Sequence, residues 1–313
     1  AFLNMLQLIG WTSIMIYDAM LALQELAPLS PMVWTIAIGA LVILWLFIGL
    51  HNTGYIQAIV SVLLLGLTLY MGAHMILQWP SDASLLSSGN MSFIAALELS
   101  IAMPLSWLPL ISDYTRESKK PFSASLTSAT VYTITSIVMY TLGLSAAIFG
   151  GGDSIITIMM NAGLGLAGLI VIIFSTVTTT FMDAYSAGVS STTIYNGASS
   201  KGVAVIVTIV GTIAAILYPM DDITDFLYLI GSVFAPMIAI LLADYFINRQ
   251  QVQALSAYLV RGLIWAVSVG LYHYMLHSES TIGATLPAFT MAFVVTAIVG
   301  FISKTAHIST EIK

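Results

Sequence analysis

Residues 31 to 50 read PMVWTIAIGALVILWLFIGL, twenty positions without a charged side chain, and this stretch decides the fold class. At about 1.5 Å of rise per residue, a helix of that length crosses the roughly 30 Å hydrocarbon core of a bilayer. On either side of it, apolar runs of similar length fall near 2 to 22, 54 to 78, 91 to 112 and 124 to 149, and then near 163 to 190, 203 to 218, 223 to 247, 256 to 276 and 285 to 303. Breakers such as Pro80-Ser81-Asp82, Gly150-Gly151-Gly152-Asp153 and Pro219-Met220-Asp221-Asp222 separate them. The 313 residues are 59% apolar and 7% charged, with a mean hydropathy of +0.99, and a water-soluble surface cannot be built from such a composition. The expectation is an all-α integral membrane protein, one transmembrane domain over residues 1–313 with about ten spanning helices. Barrel strands need only about ten alternating residues, whereas these runs are twice as long and apolar throughout.

Lys and Arg collect in loops on the cytoplasmic side of a membrane, so the eight basic residues test the segmentation. Arg116, Lys119 and Lys120 follow the fourth run and Lys201 the sixth. Arg249 and Arg261 flank the loop after the eighth, and Lys304 and Lys313 follow the tenth. Every one lies at an even-numbered exit. The odd-numbered exits carry only acids: Glu25, Asp82, Asp153, Asp221, Asp222 and Glu279. Both chain ends are therefore expected in the cytoplasm, in a multi-pass protein of the cell's inner (plasma) membrane. The chain opens on Ala1-Phe2-Leu3 without Met or a basic residue, which reads as a truncated start rather than a signal peptide. The absence of cysteine excludes disulfides, thiolate catalysis and sulfur-ligated metals.

Function in such a chain is written in its intramembrane polar groups, because an ionisable residue at the bilayer centre costs roughly 2.5 to 3.5 kcal/mol on insertion scales. Asp18, Glu98, Asp183 and Asp244 qualify. Asp183 is far from both loops, and Ser175, Thr178 and Thr179 share its helical face at i, i+3, i+4 and i+8. Oxygens on such a face suit a small hard cation, or a proton together with a polar ligand. The competing structural reading is that the hydroxyls back-bond to their own helix or join neighbouring helices. Glu98 precedes Pro104-Leu105-Ser106-Trp107-Leu108-Pro109, where two prolines are expected to break the helix and free backbone groups for a midplane site; a simple kink with Trp107 packed as core is the alternative. Glu98 lies nearer the external end, which suits a wet vestibule or a pairing role as well as ligand contact. Gln7 and Trp11 lie one turn apart, so an indole face can stack on a planar ring while the amide meets its edge. Asp18 lies toward the outer end of its run, and Asp244 is expected to pair with nearby Arg249. No phosphate-binding glycine motif, nucleophile elbow or metal-ligand histidine spacing is present.

The string Met103-Pro104-Leu105-Ser106-Trp107-Leu108-Pro109-Leu110-Ile111-Ser112-Asp113-Tyr114-Thr115-Arg116 resembles the sixth helix of nucleobase:cation symporters of the purine and cytosine permease type. Asp183-Ala184-Tyr185-Ser186-Ala187-Gly188 resembles their eighth helix, and Gly10-Trp11 the Gly-Trp of their third. The pattern is most similar to the CytX-type branch, associated with hydroxymethylpyrimidine and thiamine-precursor salvage. The resemblance implies a LeuT-like fold of two inverted five-helix repeats plus two further helices. Residues 1–78 would be family helices three to five, 91–247 helices six to ten and 255–303 helices eleven and twelve. It also implies that the first two helices are missing, so that this chain alone is not expected to transport. Carried over, Trp11 would stack on the substrate ring, and Asp183, in place of a family Asn, would bond the ring edge. Gln7, Ser106, Trp107 and Glu98 would complete the pocket, and Ser175, Thr178 and Thr179 would hold the cation, Na+ being the metal they would take. Met15 and Pro104 depart from the family pattern at two expected contacts.

The function this implies is a secondary active symporter importing a pyrimidine-like base, hydroxymethylpyrimidine or cytosine, with Na+ or H+ as coupling ion. No cofactor, catalytic residue or nucleic-acid partner is expected. The partners are the small planar heterocycle and the lipid bilayer. A channel or non-transporting receptor on the same bundle is the competing class, and a membrane-embedded enzyme, which would need a second catalytic group near Asp183, is a third.

Overall fold

In the computed structural model the described residues are 1–26, 29–48, 50–77, 91–115, 118–149, 163, 165–220, 223–249, 255–278 and 281–311. They form helices and no strand. In chain order these are α1 (Phe2–Leu26), α2 (Pro31–Ile48), α3 (Leu50–Leu77), α4 (Phe93–Thr115), α5 (Pro121–Phe149), α6 (Gly165–Ile194), α7 (Ser200–Leu217), α8 (Ile223–Leu242), α9 (Leu255–His277) and α10 (Thr285–Glu311). All ten are long and apolar enough to cross a membrane. Arg116, Lys313 and the loop acids Asp82, Asp153, Asp221, Asp222 and Glu279 lie outside the described residues.

The helix ends follow local chemistry. Pro31 and Pro121 open α2 and α5, where a missing N–H costs nothing because first-turn donors have no intrahelical partner. Ser199 caps α7, its side chain accepting from the Gly202 N–H at 3.2 Å. At its far end α8 relaxes into a π-helical turn over Ala243–Asn248, closed by Arg249 at φ 49° with its N–H on the Asp244 carbonyl.

The described residues fall into two compact units, Ala1–Gly89 with Leu110–Asp222, and Asn90–Pro109 with Ile223–Lys313. In the first, α1, α2, α6 and α7 pack on one another. Lipid tails are as apolar as leucine, so close contact between backbones has to replace hydrophobic exclusion here. Small residues provide it. Ala184, Ala187 and Ala204 are fully buried, and a Cβ on Gly211 would lie 2.7 Å from the Thr12 methyl carbon. In the second unit Ala284, Ala288, Ala292, Thr296 and Gly300 recur every fourth residue along α10, the first four of them 0 to 1% exposed, and α8 packs on that helix. The outward faces carry large apolar side chains such as Phe47, Leu217, Leu241 and Phe301, as a lipid-facing surface requires.

Two expectations are corrected. The prolines do not break α4, which runs through Pro104 and Pro109 as one helix from Phe93 to Thr115. A missing N–H costs one bond each, to the carbonyls of Ser100 and Leu105 four residues back, and the remaining ladder carries the helix through; the Ser106 hydroxyl adds a back-bond to the Met103 carbonyl at 2.7 Å. Asp244 pairs not with Arg249 but with Arg261 of α9, through Nε at 2.5 Å and Nη2 at 2.8 Å. Arg249 is spent on the left-handed turn that ends the π segment, whereas Arg261 presents a two-pronged fork to the carboxylate.

Candidate functional site

The first unit holds Trp11, Gln7, Asp183, Ser175, Thr178 and Thr179, and its register puts the first and third of these at one depth. Leu8 of α1 shares a core cluster with Phe181, Ala184 and Ala187 of α6, whereas Ile16, Ala19, Met20 and Leu23 share one with Leu169 and Ile173. Moving up α1 therefore means moving down α6, so the two helices are antiparallel. The Asn4 amide donates to the Ser190 hydroxyl at 2.9 Å, and this pins the pair at one level. Seven residues further along each helix is about 10.5 Å and within about 20° of two full turns. That step leads from Asn4 to Trp11 and from Ser190 to Asp183. An indole and a carboxylate thus stand at the same depth on facing sides of α1 and α6.

Trp11 and Asp183 are both half-buried. Asp183 lies nine residues from Phe174, half a turn round α6, and Phe174 is 44% exposed, so the carboxylate points away from the outward face. Among the described residues it makes no hydrogen bond or ion pair. Gln7 is buried and its amide donates to the Asn4 carbonyl oxygen at 2.7 Å, which makes Asn4, Gln7 and Ser190 one polar chain below the pair. The Thr178 hydroxyl donates to the Ser175 carbonyl at 3.0 Å, and Ser175 and Thr179 are half-buried on the same face. Thr178 thus makes the back-bond of the structural reading, with its oxygen lone pairs still available to a cation.

Glu98, Ser106 and Trp107 belong to the second unit. Ser106 is buried and Trp107 is 37% exposed. Glu98 is buried, and its Oε1 accepts the backbone N–H groups of Ala284 and of Thr285, the latter at 2.6 Å. It is the N-terminal cap of α10. Asn4 and Ser190 were invisible to sequence reading as a pair because 186 residues separate them; the available signal was two amides, Asn4 and Gln7, three apart on an otherwise apolar face.

A family model described as permease for cytosine/purines, uracil, thiamine, allantoin matches residues 2–312. The chain belongs to this permease family. The cytosine permease of Escherichia coli strain K12 is 25% identical to it over 185 residues, and those of strains O6:H1 and O157:H7 match to the same extent. The match covers 58% of this chain and 44% of each relative, so the chain spans less than half the length of those cytosine permeases.

Proposed function

We propose that the complete protein is a secondary active symporter that imports a pyrimidine-like base, hydroxymethylpyrimidine or cytosine, with Na+ or H+, rather than an enzyme. The observation that carries the reading is the Asn4–Ser190 hydrogen bond, from which helix geometry sets Trp11 and Asp183 at one depth of the antiparallel α1–α6 pair. A planar base stacked on the indole presents its amino group to the carboxylate, a charge-assisted hydrogen bond of about 1.5 to 3 kcal/mol. Asp183 suits a ligand that offers a donor, as an aminopyrimidine does. Ser175, Thr178 and Thr179 bind the cation through hydroxyl oxygens on the same helix, which couples ion and base through one element. Gln7 steadies α1 through Asn4 within the first unit. The ten helices correspond to family helices three to twelve, with residues 1–78 as three to five, 91–247 as six to ten and 255–303 as eleven and twelve. The protein resides in the inner membrane with its C-terminus in the cytoplasm.

Uptake of radiolabelled hydroxymethylpyrimidine and cytosine into vesicles holding the full-length protein, with sodium and pH gradients imposed separately, tests the proposal. The expected result is accumulation of one base above equilibrium under one gradient. Passive equilibration without gradient dependence favours a channel and overturns symport. Asp183→Ala should abolish accumulation while the protein stays folded in detergent, and unchanged uptake would remove Asp183 from the site.

A further inference from the structure

Two buried or nearly buried acids of the second unit are neutralised in different ways. Asp244 receives the Arg261 guanidinium on both oxygens. Glu98, 8% exposed, receives two backbone N–H groups from the start of α10 and, among the described residues, no cation. The neighbouring stretches of sequence bring it no Lys or Arg. No Lys or Arg precedes Arg116, and none stands between Arg261 and Lys304. Of the α9 histidines, His273 lies edge-on to the Tyr272 ring with centroids 5.9 Å apart, and the His277 Nδ1 is 2.7 Å from the His273 carbonyl. A helix N-terminus offers the equivalent of roughly half a positive charge, so Glu98 retains an uncompensated share. Buried charge of this kind is ordinarily paired.

Beside it is a cavity of about 430 Å³, wholly within the second unit, walled by Glu98, Ser92 and Tyr228 on its polar side and by Met91, Met275 and Leu276 on its apolar side. The walls select among cations. A bare metal ion needs a shell of oxygens, which thioethers and a leucine do not provide. An organic ammonium places its charge on the carboxylate, its body against the Tyr228 ring and its irregular outline among flexible methionines. We propose that this cavity binds a small organic ammonium ion, with Glu98 as counter-ion and Tyr228 and Met275 as walls. The site depends only on the second unit and not on the substrate reading above.

Calorimetric titration of the full-length protein with benzylammonium chloride, and with benzyl alcohol as its neutral counterpart, tests the assignment. Saturable benzylammonium binding, about tenfold tighter than that of the alcohol, is expected, equivalent to about 1.4 kcal/mol. Glu98→Gln keeps a carbonyl oxygen for the Ala284 and Thr285 N–H groups and removes only the charge, so thermal stability should hold while benzylammonium binding weakens about tenfold. Equal binding by Glu98→Gln and the parent protein, or no saturable binding at millimolar concentration, overturns the proposal. Ser92→Cys gives a second readout in a chain without cysteine: benzylammonium should slow its maleimide labelling and benzyl alcohol should not, and equal labelling rates also overturn the site. Because binding rather than uptake is read, failure here leaves the transport proposal standing, and failed transport leaves this site untouched.

Discussion

The Asn4–Ser190 hydrogen bond turns two distant helices into a matched pair, and its worth is open to direct measurement. Interhelical side-chain bonds in membranes average about 0.6 kcal/mol with a maximum near 1.7. Asn4→Ala and Ser190→Ala should each weaken cytosine or hydroxymethylpyrimidine binding a few-fold through loss of register, and the double variant should lose no more than either alone. Full additivity in a double-mutant cycle would show that the bond does not act as a unit. Thr180 gives the opposite prediction. Its hydroxyl is fully buried without a partner among the described residues, a situation that costs about 1 to 3 kcal/mol. Thr180→Val keeps the shape and removes the polar atom, so the melting temperature should rise or hold; a fall would mean that an ordered water serves that oxygen. Gly283 stands at φ 76°, and a Cβ there would meet Glu98 Oε1 at 2.6 Å. Gly283→Ala combines positive-φ strain of about 1 to 3 kcal/mol with displacement of the α10 cap, and thermal unfolding should register the loss.

Among elements, α8 and α10 show how a membrane helix pair is held without a hydrophobic driving force. Every fourth residue from Ala284 to Gly300 is small, and at the end of that row Gly300 leaves room for the Asn248 amide, which donates to the Thr296 carbonyl at 3.1 Å and to Asp244 at 2.8 Å. Ala292→Leu inserts volume where no exposed surface exists and should destabilise by about 1 to 3 kcal/mol, seen as a lower melting temperature in detergent. The π turn that carries Asp244 to Arg261 predicts a non-additive result. Arg261→Ala strands a carboxylate that is 16% exposed and should cost about 3 to 5 kcal/mol, whereas pairing it with Asp244→Ala should recover much of the loss. Helix α4 is where the sequence reading went astray. Two prolines five residues apart do remove two backbone donors, but whether the helix parts or continues depends on what fills the gap. That is a property of the packed neighbourhood rather than of the dipeptides.

At the scale of the whole molecule, the distribution of the basic residues predicts sidedness. Single cysteines introduced into this cysteine-free chain at Ser30, after α1, should react with a membrane-impermeant maleimide from outside intact cells, and one at Gly197, after α6, only after permeabilisation; the reverse pattern would invert the topology. Spanning helices, their number and the candidate acids were legible in the amino-acid sequence because bilayer crossing is a local, one-dimensional requirement: about twenty apolar residues, punctuated, with each polar exception standing out against the background. Asp183 with its row of hydroxyls could be read the same way, since one helix face follows from spacing alone. What faces that helix could not. Asn4 finds Ser190, Glu98 finds the start of α10, and Asp244 finds Arg261 rather than the nearer Arg249, because hydrogen bonds form between groups close in space, and in a bundle of long helices nearness is decided by small residues that let particular backbones meet. Sequence by itself determined that this chain is a membrane-spanning helical bundle with an acid at its heart; only tertiary structure decided which partners each buried polar group keeps, since those are choices among contacts up to 187 residues apart that no local periodicity encodes.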